Sequence, residues 1–357
     1  MWHRLQSVIR LPMTALTPKV GATHLSPQPQ VINKSKRTIH KLLAASVSTV
    51  ICLSIVGGMD FYLHHRHGIN LRGYRGSILG RKQPGEKRVA VLGGSTAWGY
   101  GLAAGQDFPA QLQTLLAKEQ TTAGPAIKIV NLGFNNEGSY SFTYTLNDYN
   151  YLDYDAVLLY SGYNDLGELS NPGRHNVQVF RHRSPVFNWT GYLPLLPTMT
   201  VDKWERWRQP RPDQQVVFDP AGSKRAETAS ELEKRVGQLT AAGPQITAAP
   251  AGQCPAEWQF YCDHIYEAVD MALKRDRRVL IVGEPYISDR HIAQQAALED
   301  MLRSRFSGQP GVRYLNLGRT VDLRDKSLCW DGMHLTEEGN RRVAAALTQP
   351  ILDLLHH

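Results

Sequence analysis

Two short polar motifs contain the residue types of a serine nucleophile and its base. Ser95 stands in a Gly-Gly-Ser-Thr run at 93–96, directly after a short apolar stretch. His334 follows Asp331 by three residues, close enough for the carboxylate to hold the imidazole in one tautomer. A serine hydroxyl attacks an ester only when a base accepts its proton and donors stabilise the oxyanion. We predict Ser95 as the nucleophile, His334 as the base and Asp331 as the residue that orients it.

Candidate hydrogen-bond donors for that oxyanion lie in further motifs. Asn164, in a Gly-Tyr-Asn-Asp run, offers a side-chain amide that adds no charge in the ground state. The backbone N–H of Ser95 would be free at a helix start. The cysteines have no zinc-like spacing with histidine, and no metal or other cofactor is predicted.

Each motif alone is more often a turn or a helix cap, so the predicted elements around it decide its meaning. Near-continuous apolar runs end at or just before the polar motifs, and helical spacing such as Phe108 to Leu112 separates them. The runs are Val89–Leu92, Ile127–Leu132, Ala156–Tyr160, Val279–Val282 and Val312–Leu317. This alternation predicts a three-layer α/β domain with a parallel sheet over residues 88–357. Ligands bind at the carboxyl ends of such strands, where the motifs lie.

In their order along the chain, the motifs resemble the sequence blocks of the SGNH (GDSL-like) hydrolase superfamily. The run at 93–96 resembles the nucleophile block in its GGST form, 162–165 the G-x-N-D block and 331–334 the D-x-x-H block. The resemblance covers about residues 88–168 and 276–350. It implies a flavodoxin-like fold and a metal-independent serine esterase that works through an acyl-enzyme.

The second block departs from the family pattern N-x-G-x-x-G, whose last glycine gives an N–H to the oxyanion hole. Asn136 stands where that glycine is expected. Asparagine tolerates left-handed backbone geometry better than most residues and keeps its N–H. The resemblance therefore leaves Asn136 and Gly133 as alternative donors.

Positive charge is concentrated at the N-terminus. Residues 1–41 hold seven of the 40 Lys and Arg residues and no acid, which leaves the other 33 facing 32 acids. A basic nucleic-acid groove is therefore not predicted. The next 18 residues, 42–59, carry no charge and would span about 27 Å as a helix. We predict a transmembrane anchor at 42–63 behind a cytoplasmic tail, with the rest of the chain outside. A signal peptide, an organellar presequence and a buried core helix are the alternatives.

Two further segments flank or interrupt the predicted domain. Residues 64–87, rich in Arg, Gly and Lys, are expected to be a linker. Residues 170–255, far longer than an ordinary loop, are expected to be an insertion that covers one end of the sheet. Its aromatic residues could stack on sugars, form a small core or rest at the membrane surface. Cys254 and Cys262 form either a disulfide in an oxidising compartment or two unpaired thiols.

Three functional hypotheses follow. The first is an anchored esterase that acts on O-acetyl groups of an envelope or exported polysaccharide, or on a lipid ester. The second is an O-acetyltransferase that acts on a glycan, because the same triad can pass its acyl group to an alcohol. The third, an inactive binding scaffold, is disfavoured by the complete set of Ser95, Asn164, Asp331 and His334.

Overall fold

The computed structural model describes residues 32–119, 126–135, 137–166, 181–182, 184–208 and 252–356. The chain forms two compact units, Met1–Ser54 and Ile55–His357. Helix α1, Ile32–His67, begins in the first unit and ends in the second. Its stretch from Arg37 to His67 is the one helix of the described chain long and apolar enough to cross a membrane, and its apolar window is exposed. The predicted span at 42–63 lies within it.

A five-stranded parallel sheet forms the centre of the second unit. Its strands are β1 (Lys87–Gly93), β2 (Ile127–Asn131), β3 (Ala156–Ser161), β4 (Arg278–Gly283) and β5 (Val312–Asn316). Their order is β2-β1-β3-β4-β5, which is the flavodoxin-like order. The order reverses between β1 and β3, and in such sheets ligands bind at that point, beyond the carboxyl ends of the strands.

Helices cover both faces of the sheet. They are α2 (Ser95–Trp98), α3 (Phe108–Glu119), α4 (Phe142–Asp148), α5 (Pro185–Thr190), α6 (Leu195–Arg208), α7 (Gln259–Leu273), α8 (Asp289–Arg305) and α9 (Glu337–His356). Single 3-10 turns lie at Ser139–Ser141, Asn150–Leu152, Tyr163–Asp165 and Leu317–Arg319. The predicted three-layer α/β architecture with a parallel sheet is confirmed.

Alternate strand residues build the two cores, as the two-residue period of a strand requires. Ala90 and Leu92 point into the core shared with α4, α7 and α8, whereas Val89 and Val91 point into the core shared with α3 and α9. Because both faces are buried, the strands are apolar at nearly every position.

The segment 64–87, which the sequence predicts as a linker, packs against the sheet domain. Tyr74 is buried in the core, and the Arg75 guanidinium is buried against Asp107, with Nε 3.2 Å from Oδ2. The isolated bridge between Arg75 and Asn131 adds this segment to the edge of the sheet at β2. Because the residues that contact this segment lie far along the chain, neither the hydrophobic periodicity nor the motif spacing of the sequence indicated that it packs on the domain.

The described part of the predicted insertion belongs to the domain. Phe187, Leu193 and Leu195 are buried in the same core as Tyr149. Ser184 caps the start of α5, because its side chain accepts from the N–H of Phe187. Residues 167–180, 183 and 209–251 lie outside the described residues, and a cover over the strand ends stays a prediction.

Cys254 and Cys262 pair as a disulfide with their Cα atoms 6.3 Å apart. The bond ties the turn before α7 to the first turn of that helix. Cys329 is a buried free thiol, and Cys52 is an exposed one in α1. Of the two readings that the sequence left open, the structure contains the disulfide.

Candidate active site

The sequence around Ser95 forces a tight turn at the end of β1. Gly94 has an extended backbone, and Ser95 is the first residue of the short helix α2. A side chain at Gly94 would place its Cβ 2.1 Å from Nδ2 of Asn164, and one at Gly93 would be 2.6 Å from the carbonyl of Tyr160. Only glycine allows this close approach. Ser95 is thereby placed at the carboxyl end of β1, beside Asn164.

Ser95, His334 and Asp331 form a continuous hydrogen-bonded chain. Ser95 Oγ lies 2.8 Å from His334 Nε2, and His334 Nδ1 lies 2.6 Å from Asp331 Oδ2. An ionised carboxylate only accepts hydrogen bonds, so Nδ1 carries the proton and Nε2 accepts from the serine hydroxyl. The three side chains come from the end of β1 and from the loop before α9. The structure thus brings the three predicted residues together in the order that nucleophilic attack requires.

Asp331 is held ionised although it is buried. Burial acts to raise its pKa, but hydrogen bonds from the His334 ring and backbone and from the Met333 N–H outweigh that effect and lower it. The backbone N–H groups of His334 and Met333 lie 2.6 and 2.9 Å from Asp331 Oδ1. Gly332, with φ of +87°, supplies the left-handed residue that this tight loop needs.

Two aromatic side chains enclose the His334 ring. The centroid of Tyr100 lies 4.8 Å from that of the imidazole, and the Trp330 ring stacks at 5.5 Å. Tyr100 and Trp330 also stack on each other at 6.1 Å. These contacts restrict the imidazole to one plane. Neither residue was among the predicted site residues, although Trp330 directly precedes Asp331.

Asn164 lies where a donor to the reacting centre is needed. Its Nδ2 donates to the carbonyl of Glu137 at 2.8 Å and sits against the backbone of Gly94. An amide nitrogen carries two hydrogens, so one remains beyond the bond to Glu137. The N–H of Ser95, as the first of α2, has no partner within its own helix. These two groups are adjacent, as an oxyanion site requires.

The third predicted donor is only partly accounted for. The N–H of Gly133 donates to Oδ1 of Asn131 at 3.1 Å, and Gly133 packs against Ala97 and the Trp98 backbone beneath α2. The N–H of Gly133 is thus already bonded to Asn131 in this conformation, and the alternative of Gly133 as an oxyanion donor stays a prediction. Asn136 lies outside the described residues, and its role stays a prediction.

A buried polar network fixes the loop that carries the Glu137 carbonyl. Asp165 accepts from both the N–H and the hydroxyl of Ser139, at 3.1 to 3.2 and 2.7 Å. The fully buried Arg181 approaches Glu137, with Nη2 3.2 Å from Oε2. It also donates to the carbonyl of Leu132 at 2.9 Å. Arg181 belongs to the predicted insertion, and no sequence signal marked it.

Glu284 is a further buried acidic side chain at this end of the sheet. It follows β4 directly and is 3% exposed. Oε1 accepts from the Thr96 hydroxyl at 2.6 Å, and Oε2 accepts from the Tyr163 N–H at 2.6 Å. Burial raises its pKa to about 7, while the hydrogen bonds from Thr96 and Tyr163 act to lower it. Glu284 was not among the predicted site residues, although an acid at the carboxyl end of a predicted strand is a usable signal.

Within the described residues, no three His, Cys, Asp or Glu side chains are grouped to hold a metal ion.

Comparisons with known proteins found similarity at the level of solved structures. No protein-family model and no curated protein sequence matches this chain. A family 3 carbohydrate esterase from Clostridium thermocellum is 15% identical with a TM-score of 0.41, over 76% of this chain and 98% of that one. An acetylxylan esterase from Geobacillus stearothermophilus is 13% identical with a TM-score of 0.40, over 74% and 94%. A lipolytic protein of the G-D-S-L family from Veillonella parvula is 9% identical with a TM-score of 0.40, over 74% and 97%. Similarity at this level does not transfer an activity to this chain.

Proposed function

We propose that this protein is a serine esterase of the SGNH type that hydrolyses ester bonds through an acyl-enzyme on Ser95. The observation that carries the proposal is the chain from Ser95 Oγ through His334 to Asp331, with distances of 2.8 and 2.6 Å. The Asn164 amide beside Gly94 supplies the second requirement, a donor next to the nucleophile.

The first half of the reaction forms the acyl-enzyme. Ser95 Oγ attacks the ester carbonyl as its proton passes to His334 Nε2, and the carbonyl oxygen becomes an oxyanion. The Asn164 amide and the Ser95 N–H would donate to that oxygen. As the intermediate collapses, the bond to the alcohol oxygen breaks, and Nε2 returns the proton to the leaving alcohol. Asp331 stabilises the imidazolium that exists between the two transfers.

The second half regenerates the enzyme. A water molecule loses a proton to Nε2 and attacks the acyl carbon, and the released Ser95 oxygen takes that proton back. The products are a carboxylic acid and free serine. If a sugar hydroxyl replaces water, the same steps transfer the acyl group, and the protein would be an O-acetyltransferase.

Fluorophosphonate labelling tests the proposal. The wild type should be labelled at Ser95, and Ser95→Ala should lose both labelling and hydrolysis of p-nitrophenyl acetate by a factor of about 10³ or more. Ser77→Ala is the matched control, because Ser77 is exposed outside the site, and it should keep the wild-type rate. Labelling of Ser95→Ala at the wild-type rate would refute the assignment of Ser95 as the nucleophile.

A comparison of acyl acceptors separates the two enzyme classes. Turnover in water alone, across acetylated sugars and longer esters, is expected of the esterase. Slow turnover that accelerates on addition of a glycan would identify the transferase instead.

We also propose that α1 anchors the enzyme in a membrane, with the catalytic unit on the extracytoplasmic side. The exposed apolar window of α1 and the acid-free basic segment before it support this topology. The Cys254–Cys262 disulfide supports it independently, because such bonds persist in oxidising compartments. Envelope or exported polysaccharide carrying O-acyl groups, or a lipid ester, would then be within reach.

Reporter fusions at the C-terminus test the orientation. Alkaline phosphatase fused after His357 should be active, whereas a fluorescent protein that folds only in the cytoplasm should show no fluorescence when it is fused at the same position. The opposite pair of results would place the catalytic unit inside the cell and exclude an exported substrate.

A further inference from the structure

Glu284 connects the two loops that the proposed reaction uses. It follows β4, whose neighbour is β3, and β1 lies one strand further along the sheet. From there its carboxylate reaches Thr96, the residue after the proposed nucleophile, and Tyr163, the residue before the proposed oxyanion donor. One rigid side chain thus contacts the neighbours of both reacting groups.

The backbone beneath Asn164 is shaped for this contact. Gly162 has φ of +154°, a conformation that side-chain-bearing residues avoid, and it turns the N–H of Tyr163 towards Glu284. A Cβ at Gly162 would lie 3.3 Å from Oε2 of Glu284 and 2.5 Å from Nε2 of His291. The turn therefore rests directly on the carboxylate, and there is no room to insert another group between them.

A carboxylate is suited to this connection because it has two acceptor oxygens at a fixed separation. Each oxygen takes one neutral donor, the hydroxyl of Thr96 in α2 and the amide of Tyr163 in the turn at Tyr163–Asp165. The first bond holds the nucleophile helix and the second holds the turn that carries Asn164. A shift of either loop would lengthen one of two 2.6 Å bonds.

We propose that Glu284 is a positioning residue that fixes the separation between Ser95 and Asn164, a role that rests on the proposed function. It touches neither substrate nor reacting atom. Its contribution is to keep the oxyanion donor at the distance that the transition state needs, where a displacement of about 1 Å can cost about 10²-fold in rate.

Steady-state kinetics with p-nitrophenyl acetate test this role. Glu284→Ala should lower kcat by about 10- to 100-fold with little change in KM, because the donor acts on the transition state. Glu284→Gln should stay within about 3-fold of wild type, since its amide oxygen can accept from Tyr163 and its NH₂ can donate to the Thr96 hydroxyl. Thr96→Val, which removes one of the two bonds, should give an intermediate loss and serves if Glu284→Ala does not fold.

A double-mutant cycle distinguishes positioning from general loosening. In an Asn164→Ala background, Glu284→Ala or Thr96→Val should cost less than about 3-fold, because the donor being positioned is already absent. Glu86→Ala is the matched control: Glu86 is a buried glutamate paired with Arg88 at the opposite end of β1, at 2.5 Å. It should lower the Tm while leaving kcat unchanged.

The outcomes separate this role from the proposed function. Fluorophosphonate labelling at Ser95 in the wild type, with an unchanged kcat in folded Glu284→Ala, would overturn the positioning role alone. An equal loss in both Asn164 backgrounds would also overturn it, because the effect would then be general. Absence of labelling at Ser95 in the wild type would overturn the proposed function and this role with it.

Discussion

Asp331 uses both carboxylate oxygens to define the loop that carries His334. Oδ2 receives Nδ1 of the ring, while Oδ1 receives the backbone N–H groups of Met333 and His334. The same residue therefore sets the tautomer of the imidazole and the path of the chain that holds it. An amide cannot do both, because it has only one acceptor oxygen.

Asp331→Asn is accordingly expected to lower kcat by about 10³- to 10⁴-fold while the protein remains folded. The amide NH₂ would face either Nδ1–H or the backbone donors, which favours the wrong tautomer. Asp322→Asn is the control, because Asp322 lies in the same loop but is exposed and pairs with Arg324. Rates for both variants at pH 8, with circular dichroism to verify folding, decide the outcome. An unchanged kcat in Asp331→Asn would show that Asp331 does not orient the His334 imidazole for the reaction.

The raised pKa of Glu284 predicts how stability varies with pH. Burial raises this pKa to about 7 from an ordinary value of 4.5, so between those values the folded protein holds a proton that the unfolded chain has lost. The folded state therefore binds more protons, and this group makes stability fall as the pH rises through that range. Below the lower value the contribution is constant.

Glu284→Gln should remove that dependence. Relative to wild type, the variant should gain unfolding free energy on going from pH 5 to pH 8, as measured by urea unfolding at both values. Asn164→Ala removes no titrating group, so it should change the unfolding free energy by the same amount at pH 5 and at pH 8. A Gln variant whose difference from wild type is the same at pH 5 and pH 8 would show that Glu284 titrates normally.

The nucleophile helix depends on a residue outside the predicted domain. Helix α2 has only four residues, too few to be stable alone. Arg75 donates to the carbonyls of Trp98, Gly99 and Leu102 at 2.9, 3.3 and 2.7 Å, and its guanidinium lies 5.2 Å over the Trp98 ring. The end of α2 is thus satisfied by a segment that precedes β1.

Arg75→Met is expected to destabilise the protein by about 3–5 kcal/mol, because it leaves Asp107 buried without its cation. It should also lower kcat, since α2 carries Ser95. Adding Asp107→Leu should recover part of the stability by removing the unpaired charge. Arg324→Met, at an exposed ion pair, should leave the Tm unchanged. Thermal unfolding of the wild type and the three variants decides whether the segment 64–87 contributes to stability or only connects α1 to β1.

The strands and the triad could be predicted from sequence because their signals are local. Apolar runs of strand length stood at all five strands, and each catalytic motif lay within four residues of chain. Arg75 and Arg181 could not be found in that way, and the only local signal for Glu284 was its position directly after a predicted strand. The partners of all three residues lie far along the chain, and the sequence does not show whether a charged residue is buried or exposed to solvent. The third oxyanion donor was ambiguous for another reason, because the use of an N–H depends on backbone geometry.

At the scale of the whole molecule, the last turns of α1 belong to the second compact unit, Ile55–His357. Asp60 and His64 are buried. Asp60 accepts from the N–H of Leu196 at 2.6 Å and from the hydroxyl of Tyr192, and His64 Nε2 lies 2.9 Å from the carbonyl of Leu193. The predicted boundary at residue 63 therefore cuts through packed structure.

Two truncations should differ for this reason. A chain that starts at Ile55 should keep the wild-type Tm and esterase rate in mild detergent. A chain that starts at His64 lacks Asp60 and should have a lower Tm, since the donors of Leu196 and Tyr192 lose a buried acceptor. Full-length Asp60→Asn separates loss of the charge from loss of the turn. Equal Tm values for the two truncations would show that Asp60 contributes nothing to the fold.

Ser95 and His334 meet although 239 residues separate them. Closing so long a loop has a high entropic cost, which must be met before the two side chains can interact. The helix after His334, α9, packs into the same core as α3 and β1. A growing chain therefore exposes its serine long before any base can reach it. The proposed nucleophile therefore has no base until the C-terminal part of the chain has been made and α9 has packed into the core.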